Sequence, residues 1–297
     1  MKRMLFALCI AAIIGSPMVA ETTLEMADRM HDEELHREAF AMLEDAISAT
    51  SGPKDLAELY WRLARATMEV GDLMELEGAS EDALLAKFNE GEAYADKAVE
   101  LDSENYEAYY WKSANVGRWA EIKGILKSLF KAKPMRNLLI KVISIYPEHP
   151  ASYYVLGIMY ERVPGKPVSF GNSNYAVSLG RKAVDANRVE IASGAEDEVK
   201  LVFYVELARH LMERDWSASK RRKEYDDNAD DFRKRSDPFE KNRFYEGTID
   251  IPDISDEQEA IQIMEWVINE YENLDQPRNK QLTELEEARQ DLADWTD

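Results

Sequence analysis

The sequence is poor in the residues on which many catalytic and metal sites depend. Its 297 residues include one cysteine, Cys9, and four histidines. A disulfide framework requires paired cysteines, and a cysteine zinc site requires several thiolates close together. The sequence therefore excludes a disulfide-stabilised scaffold and a cysteine metal site.

Glycine and proline are also scarce, with 13 and 10 residues. Together with 45% hydrophobic and 32% charged residues, this composition is typical of a globular, helix-rich protein. Basic residues are outnumbered, and the formal net charge is −21. Because a phosphate backbone requires a basic face, we expect no nucleic-acid partner.

Long apolar runs are absent except at the amino terminus, where residues 4–14 follow Lys2 and Arg3. A small residue, Ala20, follows this run, and the order is typical of a secretory signal peptide. The run is shorter than the roughly 17–25 residues that span a bilayer. The sequence therefore predicts a cleaved signal peptide over 1–20, a periplasmic or secreted location, and no transmembrane segment in the mature chain.

Beyond residue 20, large and small residues recur at helical spacing. Tyr60, Tyr109 and Tyr153 each occupy the first large position of a helix–turn–helix unit, and Ala64 and Gly157 follow as small residues. This pattern resembles the tetratricopeptide repeat, a 34-residue unit whose copies stack into a solenoid. The resemblance implies an all-α fold: a tetratricopeptide-type helical-hairpin solenoid with inserted turns and a C-terminal helical cap.

The repeat pattern also divides the chain. We expect the first turn at Gly71-Asp72 and two inserts, over 73–87 and 122–134, which either cover the concave groove or extend the hairpins. The predicted organisation is a signal peptide over 1–20, a solenoid over 21–215, a charged linker over 216–253 and a C-terminal helical pair over 254–297.

A narrower resemblance rests on five segments in a fixed order. They are WRLARA at 61–66, KAVELDSEN at 97–105, GRWAEIKG at 117–124, PEHPASYYVLG at 147–157 and KAVDAN at 182–187. Together they resemble the regulator-of-microtubule-dynamics type of tetratricopeptide protein and its exported bacterial relatives. The tetratricopeptide component of tripartite ATP-independent periplasmic transporters is also similar. The resemblance implies a scaffold without catalytic residues or a cofactor, and the signal peptide argues against a cytosolic microtubule role.

Candidate metal and catalytic residues are few. His31 and His36 are five residues apart, which places them about 140° apart on one helix, too far to share a metal. The sequence HDEELH also lacks the spacing of the HExxH zinc motif. No pair of carboxylates is distinguished from the acidic surface, so we expect neither a metal site nor an enzyme.

The remaining candidates are the residues that tetratricopeptide proteins present on the concave face of each first helix. An arginine offers a forked, permanently charged set of donors to a carboxylate, and neighbouring aromatic rings suit a bound peptide. The alternative is that each arginine pairs with an acidic residue of the chain, and that the aromatic residues belong to the core. The predicted partner-binding residues are Trp61, Arg65, Tyr110, Trp111, Arg118, Tyr154, Arg162 and Arg209.

Two functions follow from these residues. The first is a non-catalytic exported scaffold that binds a protein or peptide partner through its concave groove. The second is a transporter-associated component that binds a small carboxylate, such as an organic acid, between the hairpins.

Overall fold

The computed structural model describes residues 22–296, so the predicted signal peptide lies outside the described residues. A 3-10 turn, Tyr245–Thr248, separates the last two α-helices from the others. The α-helices are α1 (Thr23–Asp32), α2 (His36–Ala49), α3 (Pro53–Leu76), α4 (Glu81–Leu101), α5 (Tyr106–Lys123), α6 (Ile125–Ile145), α7 (Pro150–Arg162), α8 (Ser173–Ser193), α9 (Leu201–Arg214), α10 (Ala218–Arg233), α11 (Pro238–Asn242), α12 (Asp256–Glu272) and α13 (Asn279–Thr296). The predicted all-α fold is confirmed.

Successive helices pack as hairpins, α3 with α4, α5 with α6 and α7 with α8, and each hairpin packs on the next. Two hairpins share the same local geometry. Tyr109 Oη donates a hydrogen bond to the carbonyl oxygen of Ser103, six residues earlier, at 3.2 Å. Tyr153 Oη donates to Pro147, also six residues earlier, at 2.7 Å. The two tyrosines therefore occupy equivalent positions, as the sequence pattern predicts.

The first insert lengthens a hairpin. The prediction of a turn at Gly71-Asp72 is wrong, because α3 continues to Leu76 and α4 begins at Glu81. Gly71 serves packing instead: a Cβ at this position would lie 2.5 Å from Cε1 of Phe88. A small residue inside a helix and a glycine at a turn look alike in sequence.

The second insert is also helical. Residues 122–134 form the end of α5 and the first half of α6, with Gly124 between them at φ 85°. Pro134 lies inside α6 without ending it. Both inserts therefore extend the hairpins.

The segment that we expected to be a charged linker, residues 216–253, forms α10, α11 and the 3-10 turn. It packs on α8, and buried ion pairs join it to the solenoid. Arg181 Nε donates to Glu246 Oε1 at 3.0 Å, and Arg214 Nη2 donates to the same oxygen, also at 3.0 Å. We call this set of six buried side chains the ionic network: Arg181, Arg214, Arg221, Glu246, Asp256 and Glu259.

The C-terminal helices complete the core. α12 packs along α9, and its Met264 and Val267 are fully buried. α13 packs on α12 and buries Leu285 and Ala288 in the same apolar cluster, which begins at Leu139. The core of the carboxy-terminal half is therefore continuous from α6 to α13.

Candidate functional site

The predicted partner-binding residues lie on α3, α5, α7 and α9, and four of them form one cluster. The guanidinium carbon of Arg65 lies 5.3 Å from the ring centroid of Trp61 and 6.0 Å from that of Trp111. The rings of Tyr110 and Trp111 are 5.2 Å apart. Trp61 is buried, whereas Tyr110 and Trp111 are partly exposed.

A second group lies on α7 and α9. Arg162 Nη2 is 3.9 Å from Glu206 Oε1, and Arg209 Nη1 donates to the same oxygen at 2.5 Å. The ring of Tyr154 packs against Phe203 at 4.9 Å, and burial raises the pKa of Tyr154. Glu206 is therefore the shared carboxylate partner of Arg162 and Arg209.

Arg118 lies apart from both groups, near the ends of α3 and α5. Its Nε donates to Asp72 Oδ1 at 2.7 Å, and it also pairs with Glu75 and Glu121. Burial opposes the charged form of Arg118, but Asp72 and Glu121 together outweigh burial and raise the pKa. Three carboxylates therefore surround this guanidinium.

All four predicted arginines have carboxylate partners within the chain, which is the alternative that the sequence left open. Arg65, for example, donates to Asp28 Oδ1 at 2.8 Å. Two cavities, of about 300 and 190 Å³, are lined by none of these arginines. A small carboxylate that bound any of these arginines would therefore compete with a carboxylate of the chain.

α13 makes polar contacts both with the turn between α1 and α2 and with α9. Near its start, Asn279 Nδ2 donates to Glu34 Oε2 at 3.0 Å, in the turn between α1 and α2. Towards its end, Asp291 accepts from Arg209 Nε at 2.7 Å, and Glu287 lies 3.3 Å from Arg209 Nη2. One of the predicted binding residues, Arg209, is thus already bound by a helix of the chain itself.

The structure brings together two histidines that the sequence argument separated. The predicted separation of about 140° assumes that both histidines lie on one continuous helix. This is wrong, because α1 ends at Asp32 and α2 begins at His36. His31 and His36 both approach the carboxylate of Glu69 on α3, at 2.6 and 2.9 Å. Burial would raise the pKa of Glu69, but the two imidazoles outweigh it and lower this pKa to about 2. The available signal in the sequence was the break between the apolar spacing of Ala27 and Met30 and that of Ala39 and Leu43.

Comparisons with known proteins match the amino-terminal part of the chain. Residues 23–161 match the family model described as regulator of microtubule dynamics protein 1-3. Regulator of microtubule dynamics protein 3 of Bos taurus is 29% identical over 136 residues, 45% of this chain and 27% of that protein. Protein 1 of Bos taurus is 26% identical over 147 residues, 50% of this chain and 44% of that protein. The chain thus spans less than half the length of these curated relatives.

A comparison of structures finds the MamA RS-1 ArsTM double mutant. Its TM-score is 0.38 and its sequence identity 15%, over 76% of this chain and 90% of the other. In residues 22–296, no helix combines the length and apolar character that crossing a membrane requires.

The predicted periplasmic or secreted location is wrong by these comparisons. The relatives come from cattle and mouse and are named regulators of microtubule dynamics, not periplasmic or secreted proteins. The exported bacterial relatives and the transporter component stay predictions. Residues 23–161 are similar to the regulator-of-microtubule-dynamics family, and α8–α13 lie beyond the match.

Proposed function

We propose that the protein is a non-catalytic helical-repeat scaffold whose concave groove binds an acidic amphipathic helix of a partner protein. The observation that carries this proposal is the contact of Arg209 with Asp291 and Glu287 of α13. α13 supplies an example of such a helix, bound through carboxylates four residues apart. In this proposal, α13 occupies the groove until the helix of a partner replaces it.

The way in which α13 is held favours replacement. Within α13 only Leu285 and Ala288 are buried, and Leu282 is 46% exposed. The carboxylate of Glu287 is largely exposed, and exposed ion pairs contribute only ~0–1 kcal/mol each. A partner helix with carboxylates at the same spacing and a longer apolar face would bury more surface. Binding of a helix in a groove uses such apolar residues three and four positions apart.

The proposal is tested with a fluorescent peptide that corresponds to residues 279–296. In the full chain, the paired substitutions Glu287→Arg and Asp291→Arg place positive charges opposite Arg209 and release α13. We expect this variant to bind the peptide at least about ten-fold more tightly than the unmodified chain, a difference of ~1.4 kcal/mol, by fluorescence polarisation.

The matched controls each neutralise one arginine. Adding Arg209→Gln to the released variant removes the groove cation without attracting the new arginines of α13, so we expect peptide binding to weaken by roughly ten-fold or more. Adding Arg222→Gln neutralises an exposed arginine on α10 and should leave binding unchanged. Equal peptide binding by all variants, or none by the released variant, would contradict the proposal.

A further inference from the structure

His31, His36 and Glu69 form a compact set of potential metal ligands at the amino-terminal end of the solenoid. One ligand atom from each residue can be chosen so that all three lie within 4.8 Å of one another. His31 Nδ1 is 2.6 Å from Glu69 Oε1, and His36 Nδ1 is 2.9 Å from Oε2. Two imidazole nitrogens and one carboxylate oxygen are the three protein ligands of one class of zinc site, in which a fourth position stays open.

The two imidazole nitrogens are not satisfied by this carboxylate. Although both are close to it, neither Nδ1 has a hydrogen-bond partner of acceptable geometry among residues 22–296, and both are inaccessible to solvent. Leaving a buried polar atom unpaired is unfavourable, because the atom has lost its hydrogen bonds to water. A cation placed between the three side chains would satisfy both nitrogens and the carboxylate together.

The backbone holds the three residues on separate, defined elements. Between α1 and α2, Glu34 adopts a left-handed conformation with φ 57°, which is uncommon for residues other than glycine. Leu35 N donates to Met30 O at 2.8 Å and closes the turn. This turn reverses the chain, so that His31 at the end of α1 and His36 at the start of α2 face α3.

We propose that His31, His36 and Glu69 bind a divalent transition-metal cation, with Zn²⁺ as the preferred ion and solvent as the fourth ligand. The side chain of His31 is 34% exposed, so solvent can reach this side of the site. Tetrahedral zinc with bonds of about 2.0–2.1 Å places its ligand atoms roughly 3.4 Å apart. A shift of each ring nitrogen by less than about 1 Å would lengthen its distance to the carboxylate to this value. Small rotations about the side-chain bonds of the histidines allow such a shift.

Surrounding charge favours a cation. Glu34 and Asp72 are close enough to act electrostatically on the His36 ring. Arg118 binds Asp72 and neutralises part of this charge. Glu69, the third ligand, and the partly exposed Glu34 therefore provide negative charge near the proposed ion.

The test is calorimetric titration of the full chain with ZnCl₂, after treatment with a chelator. We expect one zinc ion per chain, and a cobalt-substituted sample with the visible absorption of tetrahedral Co²⁺. His36→Ala and Glu69→Gln should each weaken zinc binding by at least about ten-fold, because each removes one of three ligands. Glu69→Gln keeps the shape of the side chain, so it separates loss of a ligand from loss of packing.

Two control variants use residues of the same type outside the site. His149→Asn retains a side chain that can cap α7, as Asn105 caps α5, and Glu75→Gln removes a nearby carboxylate. Both should bind zinc within about two-fold of the unmodified chain. Absence of zinc binding by the unmodified chain would overturn the proposal. So would binding by folded His36→Ala and Glu69→Gln that matches the controls, with folding checked by circular dichroism.

Discussion

The two halves of the described chain are stabilised by different means. In the amino-terminal half, apolar burial is divided between a cluster of α1, α2 and α3 and a small cluster around Trp61, Ala98 and Ala108. The carboxy-terminal half has a single large cluster that extends from Leu139 to Ala288, and the ionic network lies beside it. The amino-terminal half is therefore a stack of local contacts, whereas the other half is joined by contacts distant in sequence.

This difference has a consequence for cooperativity. In a stack of repeats each unit contacts only its neighbours, so stability is close to a sum of local contributions. Long-range contacts such as Arg181 with Glu259 instead join α8 to α12 and make these helices unfold together. We expect the amino-terminal half to open locally and the carboxy-terminal half to open as one unit. Hydrogen exchange measured by mass spectrometry distinguishes local opening of the amino-terminal half from cooperative opening of the carboxy-terminal half.

The largest expected effect is loss of an arginine from the ionic network. Arg214→Ala leaves Asp256 and Glu246 buried without their shared partner. Removing one member of a buried ion pair typically destabilises by about 3–5 kcal/mol. We expect a loss of this size in urea unfolding, with faster exchange throughout α8–α12.

The control for this prediction is the position of the effect. Exchange in α3 and α4 should remain close to that of the unmodified chain, since no member of the network lies there. A loss below about 1 kcal/mol, the range of exposed pairs, would show that the network is not a source of stability.

Acid pH should affect the carboxy-terminal half through Glu246. Burial alone would raise the pKa of this carboxyl, but Arg181 and Arg214 outweigh it and lower the pKa from 4.5 to about 2. Because the pKa of Glu246 is lower in the folded chain than in the unfolded chain, its ionised carboxylate stabilises the fold above pH 4.5. This contribution is lost as the pH falls towards 2. The loss is on the order of 3 kcal/mol. Unfolding by urea at several pH values measures it.

The amino-terminal half should respond with the opposite sign, through Glu107. Burial raises the pKa of this carboxyl from 4.5 to about 7, and Arg65 only partly opposes it. Stability from this group is therefore greatest below pH 4.5 and decreases as the pH rises to 7, by about 1–3 kcal/mol. Glu107→Gln should remove this dependence. Loss of exchange protection in α5 at acid pH instead of neutral pH would contradict the assignment.

A smaller and more local effect is expected from Gly91 on α4. A Cβ at this position would lie 1.9 Å from Asn115 Oδ1, and Asn115 Nδ2 donates to the carbonyl oxygen of Ala64 at 3.0 Å. Gly91→Ala must displace this amide, and overpacking of this kind costs about 1–3 kcal/mol. Exchange should increase in α3–α5 and stay unchanged in α9 and α12. An increase across both halves would show that they are coupled.

The helical fold was predictable because it depends on local periodicity. Tyr109 and Tyr153 mark equivalent positions in the sequence and in the structure, with the same hydrogen bond six residues back. The turn at Gly71 was placed wrongly because the sequence alone does not distinguish a glycine that makes room for Phe88 from a glycine that ends a helix.

The candidate sites were harder to predict, since they depend on contacts between distant residues. Arg209 was predicted to face the groove from its repeat position, but its pairing with Asp291 depends on where α13 returns, which no motif encodes. The proximity of His31 and His36 depends on the left-handed backbone conformation of Glu34, which the sequence does not indicate. The ionic network was missed because buried and exposed charges are identical in sequence.

Arg221 and Arg222 test this last point with the smallest expected effect. The side chain of Arg221 is 1% exposed and pairs with Asp256 at 3.3 Å, whereas its neighbour Arg222 is 63% exposed and pairs with the exposed Asp253. Arg222→Ala should change the free energy of unfolding by less than about 0.5 kcal/mol, as for most surface substitutions. Arg221→Ala, measured beside it, should approach the loss expected for Arg214→Ala. Equal losses for the two neighbours would mean that burial does not separate these charges, and the contrast between the halves would then rest on the apolar clusters alone.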